Sequence, residues 1–572
     1  MILANRTFTQ AEILIPANAS ETNRLAANEL AKYLNKISGA HFEIHADVYS
    51  FASCADRYEI CVGPVNRPGV PDTSELKNDG YILRTVANRL FIAGENDRGI
   101  LYGVYGLLED ELGCRFYTRD VEKIPQREIV KVDDLDRTVI PPFEYRETSW
   151  NALHATDIGY KRGMNGNRHG MAADHGGCVN YWGFAHTMFS YVSPDEYFDE
   201  HPEYFSMIDG VRIRERTQLC LTNPEVLEIT KRKLRQNIID HPECKIFGLT
   251  QMDWYNPCQC PECAKVDEEE GSHAGTMIRF VNACAESIAE EFPDILIDTF
   301  AYQYTRQPPK LTKPLPNVCV RICSIECCFS HPLRECNETA HFKDRTKAGA
   351  TFQDDMRGWA KICNRIFVWD YTTNFAHYLN PMTNLHVLQD NMKFFLENGV
   401  TGLFEQGNGE STSGELGELR AYVISKLMWN PDIDVSETMN DFLGGYYGSA
   451  AAPIRAYIDM LTKHVVENHV HVGIYCDPKN GHIPEELLVK AEALFDRAEK
   501  LADNEAILAR VQKSRLQIRY VRLFTTPVED PGYAAMAEAL IADVHRFGLT
   551  RVREWQPMDV SESRLRAGIS LR

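Results

Sequence analysis

VCVRICSIE (318–326), RIFVWDYT (365–372) and VTGLFEQG (400–407) share one design: a run of apolar, largely β-branched and aromatic residues that closes on an acidic or polar group. Runs of this length and composition read as buried strands. Five more stretches fit the pattern: FEYRETSW (143–150), YWGFAHTM (181–188), QLCLTN (218–223), KIFGLTQMD (245–253) and ILIDTFAYQY (295–304). Helical segments fall between several of them, at NPEVLEITKRKLRQNIID, GTMIRFVNACAESIAEEF, FQDDMRGWAKIC and NLHVLQDNMKFFLENG. Asn223 is placed to cap the first of these, with Pro224 at its first helical position. Strand and helix in alternation predict a βα array, and eight strands in about 265 residues is the size of a (β/α)8 TIM barrel.

The flanks read differently. Residues 1–135 mix short strands (AEILIPANAS, HFEIHA, YEICVGP, DGYILRTVANRLFIAGE) with two helices, and Leu25, Ala26, Leu30, Leu34 and Ile37 share one helical face. This is a small α/β domain, with Asn88 and Arg89 as a hairpin turn. The barrel is expected over 136–410. Residues 411–572 carry no strand pattern and read as successive amphipathic helices, GELGELRAYVISKLMW the first, packed on the barrel in a structural role.

With 81 acidic against 61 basic residues, the formal charge is −20. Such a surplus repels phosphate backbones and anionic lipid, and no local basic patch offsets it, so neither nucleic acid nor membrane is an expected partner. No secretory leader or 18-residue apolar run is evident, and the 17 cysteines are scattered through strands as well as loops. The expectation is a cytoplasmic protein with reduced thiols, able to form homo-oligomers and needing no cofactor.

In a TIM barrel the chemistry sits at the C-terminal ends of the strands. Those ends carry Asp253 with Trp254 and Tyr255, Tyr302 with Tyr304, Glu326, the trio Trp369, Asp370 and Tyr371, and Glu405 with Gln406. Any one carboxylate there could cap a helix or pair with Arg. Four of them among aromatic rings point to glycoside hydrolysis, in which one acid protonates the leaving oxygen and a second carboxylate attacks or activates water. Asp253 is the first candidate for proton donor, screened by Trp254, and Glu326 for base or nucleophile, with Glu405 able to exchange roles with it. Asp370 and Glu405, with Gln251, Tyr302, Tyr371 and His377, are expected to grip sugar hydroxyls, with Trp254, Tyr255 and Trp369 as platforms.

FGLTQMDWYNPCQCPEC (247–263), ICSIECCFSHPL (322–333), FVWDYTTNFAHYLNPMTNL (367–385) and GLFEQGNGESTSGELGELRAYVISKLMWNP (402–431) resemble the strand-end motifs of the bacterial domain of unknown function 4838. Some of its members are classified as glycoside hydrolase family 163, endo-β-N-acetylglucosaminidases acting on complex N-glycans. GENDRGILYGVYGLLEDELGCRFY (94–117) is similar to the domain preceding the barrel in family 20 hexosaminidases and family 67 α-glucuronidases. The resemblance implies a glycoside hydrolase acting on β-linked N-acetylhexosamine-containing glycans. Substrate-assisted hexosaminidases carry two adjacent carboxylates, however, whereas Gln-Met-Asp here offers one. The alternatives are an α-glucuronidase or other exo-glycosidase, for which Arg146, Arg162 and Arg168 could hold a substrate carboxylate, and a non-catalytic carbohydrate-binding barrel.

Cys258, Cys260 and Cys263 form a C-x-C-x2-C run directly after Asp253, plausible as part of a structural zinc site that His273 or another Cys would close. Cys327 and Cys328 read as pocket walls rather than nucleophiles. His154, His169, His175 and His186 surround the Gly-rich HGMAADHGG segment. Of these His186, at a strand end, either contacts substrate or bonds a backbone carbonyl. GENDRG lacks the residues of a phosphate loop and reads as a strand-to-helix turn.

Overall fold

The computed structural model describes residues 1–47, 57–154, 156–337, 351–480 and 482–571. The chain opens with a six-stranded sheet built from β1 (Ala11–Pro16), β2 (Ile44–Asp47), β3 (Tyr58–Val62), β4 (Tyr81–Val86), β5 (Arg89–Gly94) and β6 (Asp136–Val139), in the order β6-β4-β5-β3-β1-β2. Its strand β6 extends the sheet just past residue 135. Helices α1 (Glu21–Ser38) and α2 (Asp97–Gly106) bury their apolar faces on it. Ser20 caps α1 by accepting from the Asn23 amide, and Gly39, at φ 78°, ends it in the left-handed conformation. The β4–β5 turn falls on Ala87 and Asn88, one residue earlier than the pattern suggests, so Arg89 begins β5.

The central sheet has seven parallel strands: β7 (Tyr145–Thr148), β8 (Tyr181–Trp182), β9 (Ile246–Gly248), β10 (Leu296–Ala301), β11 (Val318–Cys323), β12 (Ile366–Tyr371) and β13 (Val400–Gln406), in the order β7-β13-β12-β11-β10-β9-β8. First and last strands are neighbours, as in a barrel. The ladder stays open between β7 and β8, where an isolated bridge from Gly166 to Val179 and the Tyr145–Tyr181 ring contact span the gap. QLCLTN (218–223) forms no strand. Gln218 and Leu219 instead join irregular backbone bonds to Ser206 and Phe205, and β8 pairs directly with β9, so the sheet has seven strands.

Outside the sheet lie α3 (Pro224–Asp240), α4 (Pro261–Glu270), α5 (His273–Ala289), α6 (Phe352–Ala360) and α7 (Leu388–Glu397). Asn223 caps α3 from the Glu225 and Val226 amides, and Pro224 occupies the position that needs no donor. Past Gln406 the described residues hold helices only: α8 (Gly417–Trp429), α9 (Val435–Tyr447), α10 (Ala451–Glu467), α11 (Glu485–Leu501), α12 (Glu505–Thr525), α13 (Tyr533–Arg546) and α14 (Met558–Arg566). None of the described helices is long and apolar enough to cross a membrane.

Two buried ion pairs fasten the N-terminal sheet to the barrel. Arg146 donates to Asp79 at 2.7 Å and Arg162 to Glu109 at 2.9 Å. Removing one partner from a buried pair strands the other charge, so these arginines hold the domains together and are not available to a ligand.

Candidate active site

Alternation along each strand decides which strand-end residues meet solvent inside the barrel. On β12, Trp369 and Tyr371 face inward and Asp370 between them faces out. Beyond β11, Cys323 and Ile325 face inward, Ser324 and Glu326 out. On β13, Gln406 faces inward and Glu405 out. The inward set walls a cavity of about 370 Å³ at the C-terminal mouth of the sheet, together with Phe300, Tyr302, Arg168, His186 and Asp253. Behind the wall residues Phe300 and Trp369 lies a buried Arg321–Asp298 pair at 2.5 Å, with the Arg321 guanidinium packed on those two rings and on Phe184 and Tyr181. Burial raises the Asp298 pKa to about 6 despite that partner.

Two carboxylates open onto this cavity. Asp253 sits in the exposed loop after β9, where Tyr302 OH donates to its Oδ1 at 2.7 Å and Gln303 Nε2 donates to the same phenol oxygen at 2.9 Å. Burial and the neighbouring Asp253 push the Tyr302 pKa well up, which keeps the phenol a donor. The second is Glu554, from the segment between α13 and α14. It accepts from Gln406 Nε2 at 3.3 Å, and Gln406 in turn accepts from Trp369 Nε1 at 2.7 Å. Burial, then Glu410 and Asp253, raise the Glu554 pKa to about 7. Nothing in the local sequence marks Glu554. Its neighbours in the cavity, Ile474, Tyr475 and Trp555, also come from the C-terminal region, so that region forms part of the site and is more than a prop.

Of the residues singled out from sequence, Asp253, Tyr302, Trp369, Tyr371 and His186 line the cavity. His186 lines the cavity, and its Nδ1 lies 2.8 Å from the Gln251 carbonyl oxygen, the backbone bond that is the second of its two expectations. It adopts φ 55°, a left-handed conformation uncommon for a residue with a Cβ. Gln251 lies behind the wall, where Nε2 donates to the Tyr302 carbonyl and Oε1 accepts from Thr305. Trp254 is 41% exposed and stacks under Arg216 rather than screening Asp253, and Tyr255 packs edge-on against Tyr304. His377 is buried against Tyr520, away from the cavity.

The other three carboxylates lie on the outer face of their strands and do not line the cavity, which corrects the roles expected of them. Glu326 is buried and accepts from Arg306 at 3.0 Å, and Arg306 also holds Asp355 at 2.7 Å. Burial raises the Glu326 pKa against the pull of Arg306. Asp370 and Glu405 are register partners across β12 and β13. Burial lifts Asp370 to about 6 although Ser324 donates to it at 2.5 Å, and burial plus Asp370 push Glu405 well above the usual carboxylate range. Among the described residues Glu405 Oε2 has no hydrogen-bond partner. Cys327 and Cys328 are buried beside this face, and Cys323 is the cysteine that lines the cavity.

A curled parallel sheet with a carboxylate-bearing aromatic cavity at its C-terminal mouth is an architecture that glycoside hydrolases share with other barrel proteins. The fold is similar to that of a family GH115 4-O-methyl-α-glucuronidase with specificity for decorated arabinogalactans, with a TM-score of 0.57 at 12% identity over 96% of this chain and 77% of that one. A chitobiase from Flavobacterium johnsoniae aligns with a TM-score of 0.48 at 13% identity, over 94% of each chain. Residues 4–107 match the profile of the glycosyl hydrolase family 67 N-terminus. No match was found among curated protein sequences. Residues 116–459 match the profile of the domain of unknown function DUF4838, and the chain belongs to that family.

Proposed function

We propose that the protein is a glycoside hydrolase in which Glu554 is the general acid and Asp253 the general base or nucleophile. The reading is carried by one observation: two carboxylates open onto a single aromatic cavity, and the environment of one of them raises its pKa to about 7. A raised acid paired with a second carboxylate is the division of labour that glycosidic cleavage needs. Glu554 protonates the leaving oxygen. Asp253, oriented by Tyr302, attacks the anomeric carbon or takes the proton from water. Trp369, Tyr371 and Tyr302 offer ring faces for the sugar. Asp253 thereby exchanges the acid role expected of it for that of base.

For the substrate, the family resemblance favours β-linked N-acetylhexosamine-containing glycans. A second reading has its own support: Arg168 lines the cavity beside Phe184 and Phe404, and among the described residues no carboxylate forms an ion pair with it. An arginine so placed suits the carboxylate of a uronic acid. Aryl N-acetylhexosaminides, aryl uronides and N-glycans, assayed with the wild type, Asp253→Asn and Glu554→Gln, test both. Turnover lost in both variants supports the pair, and turnover retained in either removes that residue from it. Glycan binding with no turnover by the wild type would instead indicate a carbohydrate-binding barrel. Product anomers read by NMR separate retention from inversion.

A further inference from the structure

We propose that Cys220, Cys258, Cys260 and Cys263 form a structural zinc site that positions the Asp253 loop. All four are buried, and their sulfurs lie within 4.8 Å of one another. Cys220 Sγ is 3.6 Å from Cys260 Sγ and 3.8 Å from Cys263 Sγ. A tetrahedral ion with zinc–sulfur bonds of about 2.3 Å requires sulfurs about 3.8 Å apart, so these distances are the edges of one coordination tetrahedron. They are too short to enclose a multi-iron cluster. The fourth ligand is Cys220, from the segment expected to be the third barrel strand, and His273 is excluded because it is turned to Asp267 at 2.6 Å.

The surroundings are those of thiolates rather than of thiols packed as hydrophobes. The Met207 amide donates to Cys258 Sγ at 3.4 Å, Arg212 Nη1 approaches the same sulfur at 3.5 Å, and Thr222 Oγ1 is 3.1 Å from Cys263 Sγ. Cys260 is also the N-cap of α4, whose dipole favours negative charge at that end. Four thiolates on one divalent ion leave two negative charges, which such donors offset, and the thiol protons go to solvent. The staple ties residues 220 and 258–263 together, across the irregular segment 218–223 and the loop after β9. From the same segment, Gln218 donates to the carbonyls of Met252 and Trp254, at 2.8 and 2.6 Å, and accepts from the Met252 amide, so the backbone on both sides of Asp253 hangs from it.

A second cluster carries its own inference. Cys328, His331, Cys336 and His471 also bring their ligand atoms within 4.8 Å of one another. Cys328 Sγ lies 3.3 Å from His331 Nδ1, and Cys336 Sγ 3.7 Å from His471 Nδ1, bracketing the sulfur–nitrogen edge of about 3.6 Å in a tetrahedral zinc site. His471 precedes the cavity residues Ile474 and Tyr475. Phe329 N bonds Val472 O at 2.8 Å beside it, so a zinc ion here clips the loop after β11 to the C-terminal wall of the cavity.

Metal analysis of the untagged, dialysed protein tests both sites. The expected result is two zinc ions per chain, falling to one in Cys258→Ser/Cys263→Ser and to one in Cys328→Ser/His471→Ala. Cobalt exchanged into the wild type reads the sites without relying on variants that fold, because tetrahedral thiolate coordination gives an intense sulfur-to-cobalt absorption. Zinc well below one equivalent with no such absorption overturns both sites. Iron-type colour in the purified protein, or a disulfide among Cys220, Cys258, Cys260 and Cys263 by mass spectrometry, overturns the first. A wild-type content of one zinc, abolished by Cys258→Ser/Cys263→Ser, overturns the second. Metal content is independent of turnover, so these results stand whatever the substrate assays give.

Discussion

The cavity and the outer face of the barrel sheet carry acidic groups of opposite kinds. Inside, Asp253 and Glu554 reach a cavity and are held by neutral donors, Tyr302 and Gln406. Outside, Glu326 is locked to Arg306, while Asp370 and Glu405 are walled in side by side. A strand-end carboxylate is therefore no guide to chemistry until its phase along the strand is known. A shift of one residue moves it from substrate to scaffold.

The sharpest way to break this contrast is to neutralise both sets in one assay. Asp253→Asn and Glu554→Gln should each lower kcat by about 10²–10⁴-fold while leaving the melting temperature near that of the parent. Glu326→Gln and Glu405→Gln should keep kcat. Loss of activity in the outer pair with retention in the inner pair would invert the assignment.

Next in size is the scaffold itself. Arg306→Ala leaves both Glu326 and Asp355 buried without their cation, and urea denaturation should show a loss of about 3–5 kcal/mol. A negligible change would mean that the outer face tolerates unpaired acid. On the inner face, kcat/KM should fall as pH rises through about 7, where Glu554 gives up the proton it must donate, and this limb should be missing from the residual activity of Glu554→Gln.

The smallest effect concerns Glu405. Its folded pKa lies above the unfolded value, so its contribution to stability is full below about pH 4.3 and is lost as pH rises toward the raised value. Glu405→Gln removes that decline. Its melting temperature, measured against the wild type, should gain with rising pH, and a gain at low pH instead would contradict the shift.

Seven of the eight expected strands are present because their apolar runs are long and separated by helix signals that carry real caps, Asn223 among them. Their phase was not legible for the same reason. A strand buried on both faces, such as IFVWDY, shows no alternation of apolar and polar residues, so Asp370 and Trp369 look equally eligible. QLCLTN misled because a short apolar run with Cys220 at its centre resembles a strand, although a C-x-C-x2-C run short of one ligand was itself a reason to look for a distant cysteine. Asp253 could be found because it follows a strong strand directly. Glu554 could not, because a lone glutamate in a helical tail carries no periodicity that ties it to Gln406, a cavity residue 148 positions earlier.

That distance has a consequence for the timing of synthesis. Every barrel strand and every aromatic wall contributed by the sheet leaves the ribosome before Glu554 does, so of the two carboxylates at the cavity Asp253 is made first and Glu554 about half the chain later. The cavity has its second carboxylate only when the C-terminal tail lies against the mouth.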